Sequence, residues 1–184
     1  MSSEPSTVES LPPEWSRFLD EVDGVISRAV ELHCLGGFVL TTRYGAPRRT
    51  GDLDCLAVVP LDESAHLEEI VGRGSTLARK HRLYIQLVTV ADLPENYEER
   101  LTEIFRGRFR HLHLIALDPY DLALSKLTRN YPIDREDIRL LARAVPLDPD
   151  ILHDRYAREL RPNLPSVERH DLTLQLWVEG FFPK

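Results

Sequence analysis

GGFVLTTRYGAPRRTGDLD, residues 36–54, is the stretch from which the fold of this chain is read. His33-Cys34-Leu35 leads into it as a short strand with two apolar residues. The Gly36-Gly37 pair then opens a helix that can be only short, because Gly45-Ala46-Pro47 breaks it. Residues 52–59, DLDCLAVV, read as a strand of about eight residues. Asp52, Asp54 and Leu56 fall on one face of it, Leu53, Cys55 and Ala57 on the other. The unit is therefore strand, glycine pair, short helix, strand, with two carboxylates pointing the same way.

Working outward, Trp15, Phe18, Leu19, Val22, Ile26, Ala29 and Val30 recur at three- and four-residue steps. They predict a first helix of about four to five turns that covers a sheet. Residues 63–80 have helical composition weakened at Gly72 and Gly74, and RLYIQLVTV, residues 82–90, is a strong strand signal. A helix near 95–105 and a strand over 111–117 complete the alternation. Beyond it, Asp118-Pro119 and Asp148-Pro149 each set a capping acid before a first-turn proline, which predicts three or four helices. The expected architecture is α/β (α+β): a small mixed sheet flanked by helices over residues 13–117, followed by a helical part over 118–184 packed on it. Residues 1–12, rich in Ser, Glu and Pro, are expected to be a mobile lead-in.

The bulk numbers narrow the function classes. With 184 residues, 42% hydrophobic and 29% charged, the chain has the make-up of a globular protein. A formal net charge of -7 disfavours a surface built throughout to hold nucleic acid, though not a local basic funnel. The polar, acidic start MSSEPSTVESLPPE lacks the basic and apolar regions of a secretory signal, and no run is long enough to span a bilayer, so a cytoplasmic protein with no membrane partner is expected. Cys34 and Cys55 have no metal-ligand spacing and read as reduced core residues.

The chemistry is concentrated in the opening stretch. Glycines at a strand-to-helix junction let backbone N–H groups approach a phosphate, and the helix start adds the positive end of a dipole. Carboxylates two apart on a strand can share one hard cation, Mg²⁺ or Mn²⁺, and leave positions for phosphate oxygens and water. Arg48 and Arg49 lie where a guanidinium can reach a triphosphate, and Thr50 adds a hydroxyl. Such a site suits phosphoryl or nucleotidyl transfer, where the work is positioning and charge neutralisation.

At these residues the sequence resembles the DNA polymerase β-type nucleotidyltransferase superfamily, in particular small bacterial members related to the AbiEii abortive-infection toxins and MenT-like toxins. Their pattern is a glycine pair, an arginine-threonine element and an Asp-x-Asp strand, then a later lysine on a helix and an acid-rich turn. DLALSKLTRNYPIDREDIRLL, residues 121–141, resembles the late part, with Lys126 in the lysine position and Asp134 and Asp137 in the acidic ones. The resemblance implies the nucleotidyltransferase fold, metal binding by Asp52 and Asp54, phosphate contact by Gly36 and Gly37, and a place near the active site for Lys126. It implies an NTP donor, an RNA, protein or small-molecule hydroxyl as acceptor, and an antitoxin partner. One departure stands out: many members place a third carboxylate on a later strand, where RLYIQLVTV offers Gln86.

Each feature also has a structural reading. The glycine pair can be a tight turn, the aspartates a solvated strand start, and Lys126 an exposed helix residue. Asp134 and Asp137 have capping-box spacing, which is favoured over a site role. The basic run RGRFRHLH, residues 106–113, is either a nucleic-acid contact or, more commonly, a solvated loop and protected edge strand. The histidines lack ligand spacing, and no Walker loop, Gly-x-Ser-x-Gly elbow or zinc ribbon is present. Two functions follow: a metal-dependent nucleotidyltransferase, as in toxin-antitoxin systems, or a catalytically impaired member of the fold that binds nucleotide or a protein partner. A purely structural interaction protein ranks last.

Overall fold

Val30–Leu35 is apolar at four of its six positions and forms β1, the central strand of a five-stranded sheet. A strand covered on both faces needs such a near-continuous run. The computed structural model describes residues 9–182, so the first eight residues of the expected lead-in lie outside the described residues. Just after them, Ser10 donates its N–H to the Thr42 carbonyl and the Glu9 carboxylate accepts from Phe105 N. The chain divides into two compact units, the first over residues 9–89 and 101–116 and the second over 90–100 and 117–182.

The first unit holds the sheet. Its order is β3-β2-β1-β5-β4, with β2 at Asp52–Val59, β3 at Tyr84–Leu87, β4 at Thr102–Ile104 and β5 at Leu112–Ala116. β1 pairs antiparallel with β2 and parallel with β5, so the sheet is mixed as anticipated. Leu53 and Cys55 are fully buried while Asp52 and Asp54 are half-exposed, the alternation read from the sequence; past Cys55 it breaks, and Val58 rather than Ala57 is buried, because the β1–β2 pairing shifts register there. Cys34 and Cys55 are both free and buried, and face each other across β1 and β2.

Helix α1, Pro13–Val25, buries Trp15, Phe18, Leu19 and Val22. Trp15 meets Phe38 edge-on at 4.8 Å between centroids. The helix is shorter than predicted. It ends beside Gly24, Ile26 is extended, and Val30 belongs to β1, where pairing with Leu112 overrides the helical spacing. Asp23 near its end accepts N–H bonds from Arg110, His111 and Leu112, capping the entry to β5. Burial pushes the Asp23 carboxyl up, but these donors outweigh it and hold it below the usual range.

Three further expectations are corrected. The helix over 63–80 is split at Gly72–Ser75 into α3, Ser64–Val71, and α4, Thr76–His81. β3 stops at Leu87 rather than running to residue 90. The helix near 95–105 is a single 3₁₀ turn at Tyr97–Arg100 followed by β4, because residues 102–104 pair with β5. β4 is thus the short edge strand, and β5, which takes up the last two residues of the basic run, lies inside the sheet. In that run Arg106 pairs with Glu103 and Arg108 with Asp20.

The second unit contains α5, Pro119–Leu124, α6, Pro132–Ala144, α7, Pro149–Arg155, and α8, Val167–Phe181. The two predicted caps form: Asp118 accepts from Asp121 N and Asp148 from Asp150 N, each at 2.8 Å. Fully buried Asp121 is held by Arg100 at 2.8 Å and Arg155 at 3.0 Å. Among the described residues no helix is long and apolar enough to cross a membrane.

Candidate functional site

β1 ends at Leu35, and Gly36 starts α2, Gly36–Tyr44, with φ +74°. That left-handed conformation is open to glycine and strained for other residues. In the sheet Leu35 stands opposite Asp54, so the turn into the helix passes directly over the carboxylate. A Cβ at Gly36 would overlap Asp54 Oδ2 and lie 3.2 Å from its Cγ. At Gly37 a Cβ would lie 3.0 Å from an Arg48 guanidinium nitrogen and 3.3 Å from Thr50 Oγ1. The absent side chains leave a recess in the backbone at the helix start, and a carboxylate, a guanidinium and a hydroxyl close into it.

The loop that returns from α2 is fastened to it, with Thr41 Oγ1 donating to the Arg48 carbonyl at 3.2 Å. Thr50 then donates to Asp52 Oδ1 at 2.9 Å and fixes that carboxylate at the strand start. Its second oxygen, Oδ2, accepts from the Tyr84 hydroxyl at 3.3 Å. Gly36, Gly37, Arg48, Thr50, Asp52 and Asp54 are therefore gathered at one place, and Arg49 on the same loop is exposed. Gln86 is exposed and stands opposite Asp54 in the parallel pairing of β2 with β3, so the position facing the acid pair carries an amide.

Among the described residues no three His, Cys, Asp or Glu side chains come together as a metal cage. The donor set does fit a hard cation that keeps water and substrate oxygens. Each carboxylate oxygen has two acceptor directions, and the Thr50 and Tyr84 bonds use one on each oxygen of Asp52.

Sequence reasoning missed Tyr84 and Arg73. Tyr84 pairs with Asp52, and Arg73 stacks over its ring with the guanidinium carbon 4.8 Å from the centroid while also bonding the phenol oxygen. The signal was present, since Tyr84 is two residues before Gln86 and shares its face, but β2–β3 register is not written in either strand.

Lys126, Asp134 and Asp137 form a group of their own in the second unit. Lys126 lies in the turn after α5 rather than on a helix. It is 4% exposed, so the reading of it as a surface residue does not hold. Its Nζ is 2.9 Å from Asp137 Oδ2 and 3.4 Å from Asp134 Oδ1. The capping role of Asp134 is real but shifted. α6 begins at Pro132, and Asp134, as its third residue, reaches back to accept Tyr131 N at 2.9 Å, while Asp137 bonds Lys126. Burial pushes the Asp134 carboxyl up, but Arg129, Tyr131 N and Lys126 outweigh it and hold it below the usual range. A carboxyl so lowered stabilises the fold above its unfolded pKa and loses that contribution as pH falls through the folded value. Between about pH 5 and about pH 3 the wild type should lose more unfolding free energy than Asp134→Asn in urea titrations.

A family described as nucleotidyltransferase of unknown function (DUF6036) matches residues 17–179. The chain belongs to that family. The match runs through both units and so takes in the Gly36–Asp54 recess and the Lys126 group alike. No curated protein and no solved structure matches the chain.

Proposed function

We propose that the recess is a nucleotidyl-transfer site in which Gly36, Gly37, Arg48 and Thr50 hold the polyphosphate of an NTP and Asp52 with Asp54 hold Mg²⁺ or Mn²⁺. The observation that carries this reading is the close approach of three polar side chains to the backbone at Gly36 and Gly37. The backbone is bare where the Asp54 carboxylate, the Arg48 guanidinium and the Thr50 hydroxyl converge. A divalent cation bound there supplies charge neutralisation for the polyphosphate. Arg48 adds a delocalised positive charge able to take two phosphate oxygens, and the α2 backbone N–H groups add donors without a side chain in the way. Thr50 and Tyr84 keep Asp52 in one orientation, so little reorganisation is needed when the substrate arrives.

In the reaction an acceptor hydroxyl oxygen forms a bond to the α-phosphorus of the NTP. The bond from that phosphorus to the bridging oxygen breaks, pyrophosphate departs, and the hydroxyl proton goes to water. Resemblance to AbiEii- and MenT-like toxins further supports a role as the toxin of a toxin-antitoxin pair. Incubating the protein with labelled NTPs, Mg²⁺ and total cellular RNA or protein tests this reading. Label is expected on one acceptor fraction with wild type and only at background with Asp52→Ala; equal labelling by the two rejects it.

Gln86 opposite Asp54 favours a second reading, a nucleotide-binding protein without turnover, because no carboxylate stands there to activate the acceptor. Calorimetry showing NTP binding, with no transfer to any acceptor fraction, would select it.

A further inference from the structure

The following rests on the nucleotidyl-transfer reading. The acid-bearing strand β2 lies between β1 and β3. On the β1 side stands the glycine recess with Arg48 and Thr50. On the β3 side Tyr84 pairs with Asp52 and Gln86 with Asp54. In an in-line displacement the attacking and leaving oxygens occupy opposite sides of the phosphorus. A polyphosphate seated on the β1 side therefore leaves the β3 side for the acceptor.

Arg73 belongs to that side. It is exposed in the break between α3 and α4, a sharp turn that uses Gly74 at φ +89°. Its guanidinium rests on the Tyr84 ring and bonds the phenol oxygen, which in turn donates to Asp52 Oδ2. Among the described residues no carboxylate forms an ion pair with Arg73. A guanidinium oriented by a ring and a neutral hydroxyl is immobilised while its charge stays available to an anion.

We propose that Arg73 and Tyr84 form the acceptor subsite and that the acceptor is the end of a polynucleotide. Arg73 takes a backbone phosphate next to the terminal hydroxyl, and Tyr84 is a positioning residue that holds Asp52 toward that hydroxyl. A polynucleotide end always carries a phosphate close to its terminal hydroxyl, whereas a protein hydroxyl has no obligatory charge beside it. The net charge of -7 gives the remaining surface little general pull on nucleic acid, so one arginine should account for a readable share of binding.

The test uses the full chain, 5′-labelled single-stranded RNA and DNA oligonucleotides, anisotropy at several salt concentrations, and steady-state transfer from labelled NTP to the same oligonucleotides. Arg73→Ala is expected to weaken oligonucleotide binding roughly tenfold and to reduce the salt slope by about one. It should raise the acceptor KM and leave the NTP KM unchanged, and Arg73→Lys should restore part of the loss. Tyr84→Phe should lower kcat without changing oligonucleotide binding. The proposal is overturned if wild type binds no oligonucleotide, if Arg73→Ala binds as wild type does, if only the NTP KM rises, or if protein hydroxyls alone are labelled. Arg73-dependent oligonucleotide binding without any transfer would support the subsite and sink the transfer reading alone.

Discussion

Gly36→Ala is expected to bring nucleotide transfer to background and to lower the unfolding free energy by roughly 2–4 kcal/mol. Two costs combine. A β-carbon is disfavoured at φ +74°, and here it would also be driven into the Asp54 carboxylate. Relief must come from moving either the helix start or the acid, and each displaces half of the proposed site. Gly45→Ala is the matched control: it has φ +70° but nothing within 4 Å of the added carbon, so it carries the conformational strain alone. That variant should lose only about 1–2 kcal/mol and keep its transfer activity. Urea unfolding of the two proteins, with transfer measured where both are folded, gives the difference due to the Asp54 contact. Equal activity in both variants would separate Gly36 from the chemistry.

Lys126→Met should destabilise the second unit by about 3–5 kcal/mol. Lys126 is 4% exposed, and its ammonium lies between Asp134 and Asp137, themselves buried. Removing it leaves two carboxylates inside with their mutual repulsion no longer offset by the amine. Arg129 still holds Asp134, while Asp137 loses its 2.9 Å ion pair with Lys126. Adding Asp137→Asn to Lys126→Met should therefore recover part of the stability, and a double-mutant cycle in urea measures that coupling. A loss below about 1 kcal/mol would show that the group contributes little to the fold.

Much of the first unit could be read from residues 30–59. Alternation over residues 52–55 placed Asp52 and Asp54 on the open face of β2, and the glycine pair marked where β1 gives way to helix. Both signals are local, set by side-chain period and by backbone freedom. What failed depended on partners distant in the chain. Residues 102–104 look helical with their neighbours yet are strand because β5 offers unpaired groups, and Val30 leaves the α1 spacing because β5 binds it too. Tyr84 and Arg73 escaped for a related reason. Tyr84 has meaning only through its register with Asp52, and Arg73 only through the turn that lays it on Tyr84. The role of Asp134 was legible in kind but displaced, because the proline at residue 132, rather than the acid, marks the helix start.

The facing thiols of Cys34 and Cys55 flank the recess, one two residues before Gly36 and the other one residue after Asp54. Burial raises both, Cys34 strongly and Cys55 to about 12, so neither supplies a thiolate at neutral pH while the strands stay closed. The rate at which an alkylating reagent consumes them is consequently a clock for opening of the sheet beneath the site. It needs no engineered label and can be run with or without nucleotide.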